Sequence, residues 1–372
     1  MKPAAFALLA LAAACARPAA AEDLMQVFRD AQRYDATYSA ARNSLAAGRE
    51  RLPQGRALVL PTLNLSAQAA RNRFDVESRE PLLVPSFIRS PDSSSYTLTL
   101  TQPIFRAQNL MQYEQSEYQV RQAEATFGQA TQDLIVRLAQ AYFDVLGQYD
   151  TLVLVRAQKA ATSEQLAQAK RNFEVGTATI TDTHEAQARY DLISAQEIAA
   201  LNDLQARRRQ LQLITGKEYT ELKQLRGDVK LAPPNPDNPD TWADLAEKQS
   251  YTVLIQQAAA EVAALEMKRA SAGHLPTLDF VATWGQSSET SSITSTTGRD
   301  ITSSSVGVQL ALPIFQGGSV SSREREAAAL YQRARDDLDN AKRTAVLTAR
   351  QLYLSTLNGI TQVTALEQAK AS

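Results

Sequence analysis

The 372-residue chain holds one cysteine and two histidines, too few for a disulfide framework or a Cys/His metal site. Its 39 basic and 40 acidic side chains nearly cancel, which leaves no electrostatic footprint for nucleic acid. No run approaches the ~20 apolar residues that a membrane-spanning helix needs. Nucleophile–base and paired-carboxylate motifs are missing as well, so an enzyme is disfavoured and no cofactor is implied. Phe, Trp and Tyr make up only 6% of the chain. Ala and Gln are plentiful instead, a helix-forming composition too poor in large side chains for one thick globular core. Long, thin helices fit it better.

The first segment reads as an address. Lys2, an apolar stretch from Ala4 to Ala14, and Ala19-Ala20-Ala21 before Glu22 describe a secretory signal peptide over residues 1–21. Leu11-Ala12-Ala13-Ala14-Cys15 admits a rival reading as a lipoprotein box, in which Cys15 is lipidated. Cleavage after Ala21 would leave no cysteine in the mature chain.

The remainder is written twice. Leu60-Pro61-Thr62-Leu63 recurs as Leu275-Pro276-Thr277-Leu278, and Gln102-Pro103-Ile104-Phe105 as Leu312-Pro313-Ile314-Phe315. Arg137–Tyr142 is echoed by Thr348–Tyr353, so the three offsets are 215, 210 and 211. This divides the chain into a first repeat (22–216), a proline-rich connector (217–241) and a second repeat (242–372). Each repeat carries an Ala-rich helix, two alternating segments and a longer helix.

The alternating segments are expected as strands at about 62–70, 95–102, 277–286 and 303–312. Leu63 and Leu65 alternate with Thr62, Asn64 and Ser66; Tyr96, Leu98 and Leu100 alternate with Thr97, Thr99 and Thr101. In the second repeat Leu278, Phe280 and Trp284 face away from Thr277, Asp279 and Thr283, with Val281 the one lapse. Val306, Val308 and Leu310 likewise alternate with Ser305, Gly307 and Gln309. One such strand reads as a half-buried soluble sheet. Four of them in an exported chain also match a transmembrane β-barrel. Prolines 61, 103, 276 and 313 are expected at the strand–helix junctions.

A helix over 107–175 contains no proline and would reach about 100 Å at 1.5 Å per residue. Leu134, Leu138, Ala141, Val145, Gln148, Leu152 and Val155 form a heptad seam that thins to Lys159 and Thr162 before Leu166, Ala169 and Phe173. Gly176 suits the left-handed position past the helix end. A tip turn over 176–181 follows, then a returning helix (182–216) with Asp182 and Glu185 as its expected capping box. The next helix is expected near Trp242, and the last from 318. His184 is expected at the surface, and Arg207, Arg208 and Arg209 as a solvated or locally paired face.

With these pieces in place the chain resembles the TolC family of outer-membrane efflux and secretion channels, across roughly residues 22–372. The specific pieces are Phe173–Asp182 with Ala186–Tyr190, Gly273–Asp279, and Leu312-Pro313-Ile314-Phe315-Gln316-Gly317-Gly318. The resemblance implies a mainly α fold with a small antiparallel β part: a homotrimer whose long helical hairpins form a periplasmic α-barrel. Each protomer would lend four strands to one twelve-stranded transmembrane barrel. Leu63, Leu65, Tyr96, Leu98, Leu100, Leu278, Phe280, Trp284, Val306, Val308 and Leu310 would then face outer-membrane lipid. The tip residues Val175, Gly176, Thr177, Thr179, Thr181 and Asp182 would dock a periplasmic adaptor (a membrane fusion protein), and through it an inner-membrane ABC or proton-driven pump. The implied function is a passive duct in tripartite efflux or type I secretion. The rival is a periplasmic coiled-coil scaffold without a pore, which has no use for four matched strands.

Two departures from the family pattern stand out. Members carry a second tip turn well after the Pro-Ile-Phe motif, and Ser372 precedes it, so the second repeat is expected to be incomplete and to lack the gate residues. Phe105-Arg106-Ala107-Gln108 also lacks the Gly-Gly that follows Phe315-Gln316.

Overall fold

The computed structural model describes residues 22–79, 85–227 and 231–371; the expected signal peptide and Cys15 lie outside them. The first repeat runs α1 (Leu24–Tyr34), α2 (Ala36–Arg49), α3 (Arg51–Ala57), β1 (Thr62–Arg71), β2 (Phe74–Val76), β3 (Phe87–Arg89), β4 (Asp92–Phe105), α4 (Ala107–Glu174) and α5 (Ile180–Thr215). The second runs α6 (Pro239–Gln249), α7 (Tyr251–Ser271), β5 (Thr277–Glu289), β6 (Arg299–Ala311) and α8 (Ser319–Ala371). The fold is mainly helical with a small antiparallel sheet, as expected.

The described residues fall into two compact units, one drawn from 22–44, 127–227, 231–234 and 357–371, the other from 45–79, 85–126 and 235–356. In the first, the heptad seam of α4 is the buried line. Leu134, Leu138, Val145, Leu152 and Leu166 are buried, and Ala141, Gln148, Val155, Lys159 and Thr162 are half-buried between them. Val27 and Ala31 of α1 and Ala200, Leu204 and Leu211 of α5 complete that core. Each fully buried Leu or Val contributes about 1.5–3 kcal/mol relative to an exposed one. Phe173, the last seam position, is exposed, because the helix ends before a partner covers it.

Polar ties hold the edges of this core. Asp35, buried, accepts from both guanidinium nitrogens of Arg137 at 3.2 and 3.3 Å and from the Tyr38 backbone N–H at 2.6 Å. The Tyr142 hydroxyl donates to the Lys223 carbonyl at 2.7 Å, and burial pushes its pKa up. The arginine run is locally paired: Arg207 with Asp144, Arg209 with Glu218, and Arg208 with the Thr220 carbonyl.

In the second unit small residues let helices approach closely. A Cβ added at Gly48 would lie 2.5 Å from that of Ala123, so α2 and α4 meet there only because the position is glycine. Gln115, buried, donates to the Val262 carbonyl of α7 at 3.1 Å.

Several boundaries differ from the expected ones. The strands run longer, since hairpin pairing extends past the alternating residues. Pro103 lies inside β4 instead of at its end, and the ladder accommodates it with a shift of register between Pro103 and Phe105. Pro239 opens α6 three residues before Trp242, with the Asn238 side chain capping the Asp240 N–H at 2.9 Å.

Candidate functional site

Two places concentrate the candidate residues: the sheet of the second unit and the turn of the first. The sheet has strand order β1-β4-β5-β6, antiparallel throughout. Its register carries side chains from four sequence-distant strands into common rows. Leu65, Leu98 and Trp284 form one row, and Leu63, Leu100, Ala282 and Val306 the next. Phe280 stands opposite Val308, and Leu278 opposite Leu310. Tyr96 sits in the row of Ala67 and Gln286, with its hydroxyl hydrogen-bonded to the Gln286 side chain and its ring 5.8 Å from that of Trp284. Because cross-strand partners share a face, all eleven of these apolar positions come to one side.

The other face is built from short polar side chains. Asn64, Thr99, Thr283 and Ser305 form one row, with the Thr283 and Ser305 hydroxyls 2.7 Å apart; Ser66, Thr97, Gly285 and Ser303 form another. Val281 joins Thr62, Thr101 and Gly307 as the lapse seen in the pattern, and Ile301, opposite Ser287, is a second apolar residue on this face. At the end of the sheet nearest α4, Arg106 donates to both carboxylate oxygens of Asp279 at 2.7 and 2.6 Å. Asp279 is buried, so the bidentate partner satisfies a charge that would otherwise be costly. Period two alone did not reveal this pair; it reads Asp279 only as a polar alternate.

At the turn, α4 closes in a Schellman arrangement. The Thr177 N–H reaches the Asn172 carbonyl at 2.8 Å, the Gly176 N–H reaches that of Phe173 at 3.0 Å, and Gly176 has φ 78°. The capping box of α5 is not the expected Asp182–Glu185 pair. Thr179 is the N-cap, and its hydroxyl accepts from the Asp182 N–H at 3.2 Å. Asp182 accepts in return from the Thr179 N–H and hydroxyl, both at 2.8 Å. The helix therefore begins at Ile180 because threonine, extended at φ −88° and ψ 160°, takes the cap three residues ahead of the acid. The backbone N–H of Thr179, then its hydroxyl, hold the Asp182 carboxyl below the usual carboxylate range. Glu185 instead pairs with Arg189 one turn on. Val175, Gly176, Thr177, Thr179, Thr181 and Asp182 all lie exposed on this turn.

Farther along the same hairpin the thinned part of the seam carries an ion network. Glu197 of α5 accepts from Lys159 at 2.9 Å and from Arg156 at 3.0 Å. Lys159, then Arg156, hold the Glu197 carboxyl below its usual value, and the Glu197 carboxylate raises that of Lys159.

The chain thus combines a two-faced sheet, apolar rows on one side and hydroxyls on the other, with a long helical hairpin. The model of the outer membrane efflux proteins matches residues 27–217 and 242–372. The chain belongs to the outer membrane efflux protein family.

The chain is 32% identical over 355 residues to the outer membrane protein TolC of Vibrio cholerae, covering 95% of this chain and 78% of that protein. It is also 32% identical over 362 residues to the proteases secretion protein PrtF of Dickeya chrysanthemi, with 95% and 77% covered. Among solved structures, the CmeC outer membrane channel of Campylobacter jejuni superposes with a TM-score of 0.77 at 16% identity, covering 94% of this chain and 73% of that one. That likeness speaks to the fold. Family membership makes the protein an outer-membrane channel of the efflux or type I secretion class, extending into the periplasm, and not an enzyme. Channels of this family are homotrimers working in tripartite or type I secretion systems.

Proposed function

We propose that three copies of this outer membrane efflux protein close one pore that conducts substrate passively, with the apolar rows of the sheet against lipid and the hydroxyl rows against water. In the same proposal the turn Val175–Asp182 docks a periplasmic adaptor, and through it an ABC or proton-driven pump of the inner membrane. The observation that supports the pore is the register, which aligns the eleven apolar positions of four separate strands on one face. A scaffold without a pore has no role for such a face. Leu63 and Leu65 are 62% and 70% exposed in the chain, a solvent exposure that lipid would remove.

The faces are tested by arginine. Leu65→Arg or Leu98→Arg should abolish most heat-resistant trimer in outer-membrane fractions, because a lipid-facing arginine near the midplane costs ~2–4 kcal/mol. Thr99→Arg, in water, should leave most of it. Equal loss from leucine and threonine positions would overturn the face assignment.

A further inference from the structure

The charges of the sheet divide between its faces in a definite way. Strands β1, β4, β5 and β6 hold Arg71, Asp92, Asp279, Glu289, Arg299 and Asp300. Arg71 and Asp92 stand opposite each other, and Asp300 opposite Ser288, all on the face of Leu63 and Leu65. Asp279, Glu289 and Arg299 fall on the hydroxyl face, Asp279 in the row of Gln309 and the other two in the row of Ser93. Arg106, one residue past β4, brings its guanidinium to Asp279.

On the hydroxyl face every charge meets its opposite. Arg106 and Asp279 share two hydrogen bonds, and Arg299, directly across the hairpin from Glu289, donates to its carboxylate at 3.3 Å. The two pairs stand ten residues apart along β5, about 33 Å at 3.3 Å per residue. Between them the face carries hydroxyls, amides and small or apolar side chains, and no charge among the described residues. Thr99, Thr283 and Ser305 are typical of it. A hydroxyl both donates and accepts, so it turns to an ion of either sign.

We infer that the sheet wall of the pore selects neither sign of charge, so that it passes hydrated cargo of either net charge, and that Arg106–Asp279 and Glu289–Arg299 keep it neutral. The inference rests on the pore reading above and deepens it to the class of substrate. Rings of like charge are what make a pore choose between cations and anions. In a pore of three copies, any unopposed charge on this face is repeated three times. Losing the Asp279 carboxylate would turn a neutral level of the wall into a ring of three guanidinium groups, which gathers anions and repels cations. Losing the Arg299 guanidinium would do the reverse through Glu289. Neutrality survives even where the exposed Glu289–Arg299 bond opens, because both charges stay at the same level of the wall.

Reversal potentials in planar bilayers read this. The protein is held in a potassium chloride gradient near about 0.1 M, where the Debye length is about 10 Å, and the potassium-to-chloride permeability ratio is measured. Asp279→Asn and Glu289→Gln, each leaving a guanidinium unopposed, should lower the ratio about twofold or more, and Arg299→Gln should raise it by a similar factor. Two double variants, Arg106→Gln with Asp279→Asn and Glu289→Gln with Arg299→Gln, should return it to the native value. The exposed Glu289–Arg299 pair carries the test if replacing the buried Asp279 prevents assembly. Conducting single variants that keep the native ratio overturn the inference, because the charges would then lie outside the path. A double variant that departs from the native ratio overturns it as well, because the pair would not have been neutral. Trimers that assemble in outer membranes yet conduct nothing overturn the pore reading itself, and the inference with it.

Discussion

Gly176 has no heavy atom within 4 Å of where a Cβ would stand, so a side chain there meets open space. What restricts the position is its φ of 78°, a left-handed conformation that a β-branched residue adopts only under strain. Gly176→Val should therefore loosen the turn by about 1–2 kcal/mol, while Gly176→Asn should cost much less. Hydrogen exchange of the amides over 172–183 should speed up by roughly 5–30-fold in the valine variant, the factor that such an energy implies. The same variant should keep its trimer yet cross-link poorly to the adaptor. If valine leaves both exchange and adaptor contact untouched, neither the left-handed turn nor its docking role stands. Gly176 was legible in the sequence because glycine past a helix end has few other uses. The N-cap was not. Thr179 and Asp182 both qualify by type, and the choice turned on which residue could stay extended while the Asp182 side chain reached back to its N–H.

At the scale of elements, the α4–α5 hairpin combines a legible seam with an illegible patch. Leu134 to Leu166 could be read from spacing, and their burial follows it. That Lys159 finds Glu197 could not, because the pairing depends on the stagger of α5 against α4, which the length of the tip turn sets. The patch carries a pH signature with a definite sign. The Glu197 carboxyl is held low, so its contribution is present above the ordinary carboxylate range and is lost as pH falls through the lowered value. Lys159 is held high, so its contribution persists from below its ordinary value until pH rises through the raised one. The network thus supports the hairpin across the neutral range and fails in acid. In thermal melts Glu197→Gln should lower the midpoint at pH 7 and make no difference once the native carboxyl is protonated. A gap between the two proteins that persists unchanged into strong acid would assign the loss to packing instead of charge. Arg106–Asp279 was hidden for a related reason: its partners lie 173 residues apart and meet only through the β4–β5 register.

At the scale of the whole molecule, the chain by itself leaves a face that water does not suit. Val306, Val308 and Leu310 are each more than 60% exposed; Val306 ends the row begun by Leu63, and Val308 and Leu310 stand on the same face opposite Phe280 and Leu278. A contiguous apolar patch of this kind marks a membrane or partner surface, and burying each such side chain is worth about 1.5–3 kcal/mol. The opposite face, rich in threonine and serine, has no such need. Assembly in a membrane should therefore change the accessibility of alternate residues in opposite ways, a contrast that a soluble sheet would not produce. Single cysteines at Thr97, Leu98, Thr99, Leu100 and Thr101 sample both faces of β4, and the unsubstituted chain serves as the blank. In outer membranes a charged, water-soluble thiol reagent should modify Cys at 97, 99 and 101 and spare 98 and 100. In urea-unfolded chains all five should react alike, which shows that the pattern comes from the membrane and not from local chemistry. Labelling of 98 and 100 at the rate of their neighbours would mean that water wets both faces, and the sheet would then not be the wall of a lipid-embedded pore.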